Sequence, residues 1–128
     1  VPLPQHTLPI VGIAHPNKRG PTRRFELAIC SPGEALVLRP EPTNPADPFA
    51  VAVLSIRGVQ LGYVPAERCG RIGALIGQGR EVAAIFQGYD QFRAYMRVAY
   101  DGEIPILPAS KAASDSDPDF WPDPIWDE

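Results

Sequence analysis

Proline sets the limits on what this chain can fold into. Sixteen of its 128 residues are proline, about two and a half times the share that average usage gives. Each one removes a backbone donor and breaks helix interiors and central strands alike. Long regular elements are therefore excluded, and many short ones joined by turns are expected. At this length one domain with a short appendage is feasible, burying about two-thirds of the surface that the unfolded chain exposes. Hydrophobic residues at 45% and charged residues at 21% sit near the globular average, which argues against wholesale disorder, collagen and coiled coil. No apolar run approaches the roughly 20 residues that span a bilayer. The opening VPLPQHTLPIVGIAHP lacks the basic region and long apolar stretch of a signal peptide. A soluble, cytoplasmic protein without membrane association is the expectation.

The turns divide the chain into elements. Leu8 to Ala14 is a short apolar run bounded by prolines and suits a buried strand; Arg23 to Cys30 suits a short helix ended by Ser31-Pro32-Gly33; Ala35 to Arg39 suits a strand. The four prolines of RPEPTNPADPF make the next stretch a loop. Ala50 to Ile56 and Val59 to Val64 pair naturally across Arg57-Gly58. Pro65 then opens a helix with an apolar stripe of Ile72, Leu75 and Ile76, stopped by Gly77 and Gly79. Val82 to Phe86 and Phe92 to Tyr100 complete a second hairpin around Gly88-Tyr89-Asp90. The fold class expected is mainly β: a small six-stranded OB-like antiparallel barrel with two short helices, since closure removes unpaired edges. Residues 1–109 form that domain and residues 110–128 a tail.

Charge is informative once it is divided. From Asp115 on, the tail carries six acids, whereas residues 1–110 hold eleven of the twelve Lys and Arg and nine of the fifteen Asp and Glu. The body is thus at +2 although the whole chain is at −3. Lys18, Arg19, Arg23 and Arg24 fall within seven positions and make one locally basic site. Such a site allows a weak or end-specific nucleic-acid contact and does not suggest the coating of long duplex.

One stretch is distinctive: Asn44-Pro45-Ala46-Asp47-Pro48-Phe49 running into Ala50-Val51-Ala52-Val53, then Gly58 and Leu61-Gly62-Tyr63-Val64-Pro65 before a helix. It resembles the HIRAN domain, found at the front of helicase-like DNA-repair translocases and as a small bacterial protein. The resemblance spans about Ile10 to Tyr100. It implies an OB-like barrel that binds single-stranded DNA at a free 3′ end, stacking bases on aromatic side chains and holding the 3′ hydroxyl on an aspartate. On that pattern Asn44 and Asp47 stand at the end-binding positions and Phe92 at a stacking one. Ala46 replaces a stacking tyrosine, Ala14 and His15 stand where DNA-binding members have an arginine and a tyrosine, and Tyr63 stands where one has a histidine.

Each candidate has two chemistries. An ionised Asp47 can accept a ribose hydroxyl and repel a 3′ phosphate, or fasten its own loop by accepting backbone N–H bonds. Asn44 before proline can likewise form a turn. Phe92, Tyr63 and His15 can stack bases or pack in a core. Lys18, Arg19, Arg23 and Arg24 can replace the missing phosphate-binding arginine or form a solvated face. Two cysteines without a CxxC pattern give neither a disulfide framework nor a zinc site, so free, buried or half-buried thiols are expected. No cofactor or metal is implied. No nucleophile elbow or Walker loop is present, so no enzyme is expected.

The reading is a non-catalytic module for single-stranded DNA with a 3′ hydroxyl, serving DNA repair or replication beside a helicase or nuclease partner. The alternative is a protein-interaction module whose groove holds a peptide or an acidic tail. The tail adds its own expectation: Phe120, Trp121 or Trp126 packs on a barrel, its own or a neighbouring copy's, with the acids facing Lys18, Arg19, Arg23 or Arg24.

Overall fold

The computed structural model describes residues 3–90 and 92–108. Both the division at residue 110 and the packing of Phe120, Trp121 and Trp126 therefore lie outside the described residues.

Six strands and two helices follow in the order β1 (His6–Ile10), α1 (Arg23–Ile29), β2 (Ala35–Pro40), β3 (Val51–Ser55), β4 (Gln60–Tyr63), α2 (Ala66–Gly77), β5 (Val82–Asp90) and β6 (Arg93–Tyr100). They form one antiparallel sheet in the order β1-β6-β5-β2-β3-β4. The sheet curls until its two outer strands meet at the bridge between Val11 and Tyr63, whose backbone groups exchange N–H···O bonds of 2.9 and 2.8 Å. The result is a curled half-barrel joined at one point, which bears out the mainly β, OB-like fold expected of six antiparallel strands and two helices.

Period-two alternation explains the core. Leu8 and Ile10 of β1, Phe86 of β5, and Met96 and Val98 of β6 point inward. Every residue of β3 is buried, which accounts for the continuous apolar run from Ala50 to Leu54. Helix α2 adds Cys69, Ile72 and Leu75 to the same core. It opens at Pro65 and closes in a Schellman pattern, with the Gly79 N–H on the Ile76 carbonyl and the Arg80 N–H on the Leu75 carbonyl. The capping hydroxyl of Thr22 accepts the Phe25 N–H at 3.0 Å and starts α1.

Two boundaries depart from expectation. The first strand begins at His6 and ends at Ile10, because Gly12 takes a positive φ of 75° and turns the chain before Ala14. The second hairpin does not turn at Gly88-Tyr89-Asp90. Those residues continue β5 through a bulge at Phe86/Gly88, and Asp90 pairs with Arg93. Asp90 Oδ1 accepts the N–H groups of Phe92 and Arg93, so an Asx turn rather than a glycine makes the bend. No helix among the described residues is long and apolar enough to cross a membrane.

Candidate nucleic-acid interface

Two loops build a groove of about 980 Å3. One contributes Pro16 to Pro21, the other Glu41 to Pro45, and strand β4 adds Gln60 and Tyr63. Tyr63, Lys18, Arg19, Arg39 and Asn44 all line the groove. Lys18, Arg19 and Arg39 are exposed.

Arg23 behaves differently from its neighbours in sequence. It is only 8% exposed, and its Nε donates to Asn17 Oδ1 at 2.8 Å while Nη1 donates to the Gly12 carbonyl at 2.8 Å. Asn17 in turn donates to the carbonyls of Pro21 and Gln60. Arg23 thus ties the first loop to the barrel. Its guanidinium also lies 5.6 Å from the centre of the Tyr63 ring, close enough for a cation–π contact. Arg24 is exposed on α1 and does not line the groove. His15 is exposed, and its N–H closes a turn onto the Gly12 carbonyl.

Asn44 is employed within its own loop and by Tyr63, whose hydroxyl accepts from its amide at 3.4 Å. Its Oδ1 accepts the N–H groups of Ala46 and Asp47 at 2.8 and 3.2 Å, and its amide donates to Glu41 Oε1 at 2.9 Å. Glu41 also accepts the Tyr63 hydroxyl at 2.9 Å. This acid, which the sequence motif alone does not single out, orients the ring and the asparagine together. Asp47 Oδ1 accepts the Phe49 N–H at 2.8 Å, whereas its Oδ2 is approached only by the Cys69 thiol at 3.9 Å. Burial first and then Asp47 push that thiol's pKa up.

Phe92 is 74% exposed and lines a separate depression with Val11, Gly12 and Ile13. The depression and the groove adjoin at Gly12, whose carbonyl holds Arg23. Of the nine residues singled out, the structure therefore gathers Lys18, Arg19, Arg23, Asn44 and Tyr63 around one groove. It sets Phe92 next door, and leaves His15, Arg24 and Asp47 off the lining. Sequence reasoning missed Arg39, because its partners across the groove come from a loop twenty residues upstream.

Both cysteines are free, Cys30 half-buried and Cys69 buried, as their number and spacing suggest. Among the described residues no group of His, Cys, Asp and Glu could hold a metal ion.

The family model of the HIRAN domain matches residues 19–95, more than half of the chain. The chain belongs to the HIRAN domain family. The family is one of nucleic-acid-binding modules rather than catalytic domains, which supports a DNA-binding role here. A crystal structure of a protein from Lactobacillus plantarum superposes on this HIRAN domain with a TM-score of 0.63 at 22% identity, covering 74% of this chain and 91% of that one. The crystal structure of the HIRAN domain of human HLTF superposes with a TM-score of 0.61 at 18% identity, covering 87% and 84%. At such identities the likeness establishes the fold. No curated protein matches the chain in sequence.

Proposed function

We propose that this HIRAN domain binds single-stranded DNA at a free 3′ hydroxyl and brings a helicase or nuclease partner to such ends in DNA repair or replication. The observation that carries the reading is the groove itself, lined by the exposed cations Lys18, Arg19 and Arg39 together with the Tyr63 ring, which Glu41 and Arg23 hold in place. Lys18, Arg19 and Arg39 contact phosphates, which supplies affinity without sequence preference. Tyr63 offers a ring face to a base, and Phe92 offers a second platform beyond Gly12; each stacked base contributes roughly 1–3 kcal/mol. Asp47 is fastened by one oxygen and leaves the other with only a weak thiol donor, so it can fix its loop and still accept a hydroxyl. A 3′ phosphate would be repelled by the same carboxylate.

Titration of fluorescent single strands bearing a 3′ hydroxyl, a 3′ phosphate or a blocked 3′ end tests this. The 3′ hydroxyl strand should bind tightest, and Asp47→Asn should narrow the difference by about tenfold, the equivalent of one hydrogen bond to a charged group. Lys18→Ser, Arg19→Ser and Arg39→Ser should each lower the salt slope by about one while keeping the end preference. Equal affinity for all three strands refutes end recognition. Salt-independent binding of a peptide instead would make the groove a protein-interaction site.

A further inference from the structure

Outside the groove, the outer face of the sheet holds a cation that the fold does not neutralise. Arg97 of β6 lies between Thr7 of β1 and Ile85 of β5 in register. Its Nε is buried and is the one buried side-chain nitrogen or oxygen among the described residues without a hydrogen-bond partner. Its Nη1 donates to Thr7 Oγ1 at 3.0 Å, and the Thr7 hydroxyl donates to Gln87 Oε1 at 2.9 Å. Glu26 and Glu34 pair with Arg57, and Asp101 with Arg80, but no described carboxylate pairs with Arg97. Burial alone depresses its pKa from the usual arginine value. A half-buried guanidinium with an idle donor is costly unless an anion completes it.

The path of the chain says where an anion comes from. Gln5, two residues before Thr7, clasps the segment that follows β6: its amide donates to the Ile104 carbonyl at 2.9 Å and its Oε1 accepts the Ile106 N–H at 2.9 Å. Residues 104–106 are thereby held beside the start of β1. From Pro108 to Asp115, the first of the six tail acids, an extended chain reaches about 23 Å. Gln5 and Thr7 are two residue steps apart with His6 between them, about 7 Å. A carboxylate tethered this close acts at high effective concentration.

We propose that Arg97, with Thr7 and Gln87, forms an anion site on the outer sheet face that takes a carboxylate of the chain's own acidic segment, Asp115–Glu128. The site differs from the groove and does not rest on the DNA-binding reading. It is preferred to Lys18 and Arg19 as the tail's seat because those side chains are exposed, and exposed pairs contribute little.

Both tryptophans of the chain, Trp121 and Trp126, lie in the tail, so tryptophan emission, excited selectively over the tyrosines, reports on the tail alone. In the wild type at low salt their emission should be blue-shifted and shielded from acrylamide. Arg97→Met, which keeps the packing stem, should move emission to that of free tryptophan and raise quenching several-fold. A full chain with all six tail acids replaced by their amides should do the same without touching the barrel, and so keeps the test open if Arg97→Met unfolds. Lys18→Ser combined with Arg19→Ser should change neither. Emission unmoved in both the Arg97 and the amide variants overturns the proposal. So does loss of shielding on dilution, which would assign the carboxylate to a second copy. Weaker oligonucleotide binding by Arg97→Met with unchanged tryptophans also overturns it, in favour of a phosphate site.

Discussion

Gly62 carries the closure of the half-barrel in an atom it lacks. A Cβ there would lie 2.3 Å from the Val11 carbonyl oxygen and 2.8 Å from Ile10 Cγ2. The Val11–Tyr63 bridge exists because β4 can press its backbone against β1 at this residue. Gly62→Ala should therefore cost roughly 1–3 kcal/mol in urea unfolding, as overpacking does, and should weaken DNA binding by displacing Tyr63. A second residue, Glu26, is 2% exposed and accepts from Ser55 Oγ at 2.7 Å and Arg57 Nε at 2.6 Å. Arg57→Met should cost about 1–3 kcal/mol, because it strands a buried carboxylate while Ser55 still holds it. At Ala46 the side chain is exposed and only its N–H is engaged. Ala46→Tyr should then restore a stacking platform and strengthen single-strand binding by about 1–2 kcal/mol; unchanged affinity would show that bases do not approach this loop.

Among the elements, the loop between β2 and β3 shows how a proline-rich stretch becomes rigid without regular structure. Prolines fix φ at four points, and Asn44 and Asp47 supply the acceptors that a helix or sheet would otherwise provide. Asn44→Ala removes two backbone acceptor bonds and the donor to Glu41 at once. It should cost about 1–2 kcal/mol by thermal melting and speed amide exchange at Ala46 and Asp47. This loop was legible as a loop from its prolines, and its Asn and Asp as turn formers or ligands. Which of those roles each plays was not legible, since it depends on Tyr63 of β4 meeting Glu41 and Asn44 of this loop. The second hairpin shows the opposite case: Gly88 looks like a turn residue locally, yet it serves as a bulge in a strand whose partner overrides the local signal.

At the scale of the whole molecule, pH reports on how the start of β1 and the end of β6 are held. His6 shares a hydrogen bond with Tyr100, and its pKa is held down by burial first and then by Arg68 and Arg97. In the unfolded chain it takes a proton near the ordinary value of about 6.5, and in the folded chain only at lower pH. Its contribution is complete above about pH 7 and falls as pH drops through about 6.5. Asp101, held below its usual value by Arg80, adds a separate loss only once pH falls through its unfolded value of 3.8. Unfolding midpoints measured between pH 8 and 3 should show the two stages, and His6→Gln should flatten the first alone. Cys30, pushed to about 11 by burial and then by Glu34, should react slowly with a disulfide reagent at pH 8 for lack of thiolate.

Local chemistry determined the elements. Prolines and glycines set where regular structure stops, β-branched alternation marked the strands, and the Asn44–Asp47 run with its Leu61–Pro65 partner pointed to the family. Tertiary structure decided everything that needs two distant segments to meet. It buried Arg23 as a loop tie while leaving Lys18 and Arg19 in solvent, although all three look alike in sequence. It drew Arg39 into the groove, brought Glu41 to the Tyr63 hydroxyl, and left Arg97 half-buried on a sheet face. A side chain's type limits the bonds it can make, but only the fold sets which partners come within 3 Å and whether water remains between them.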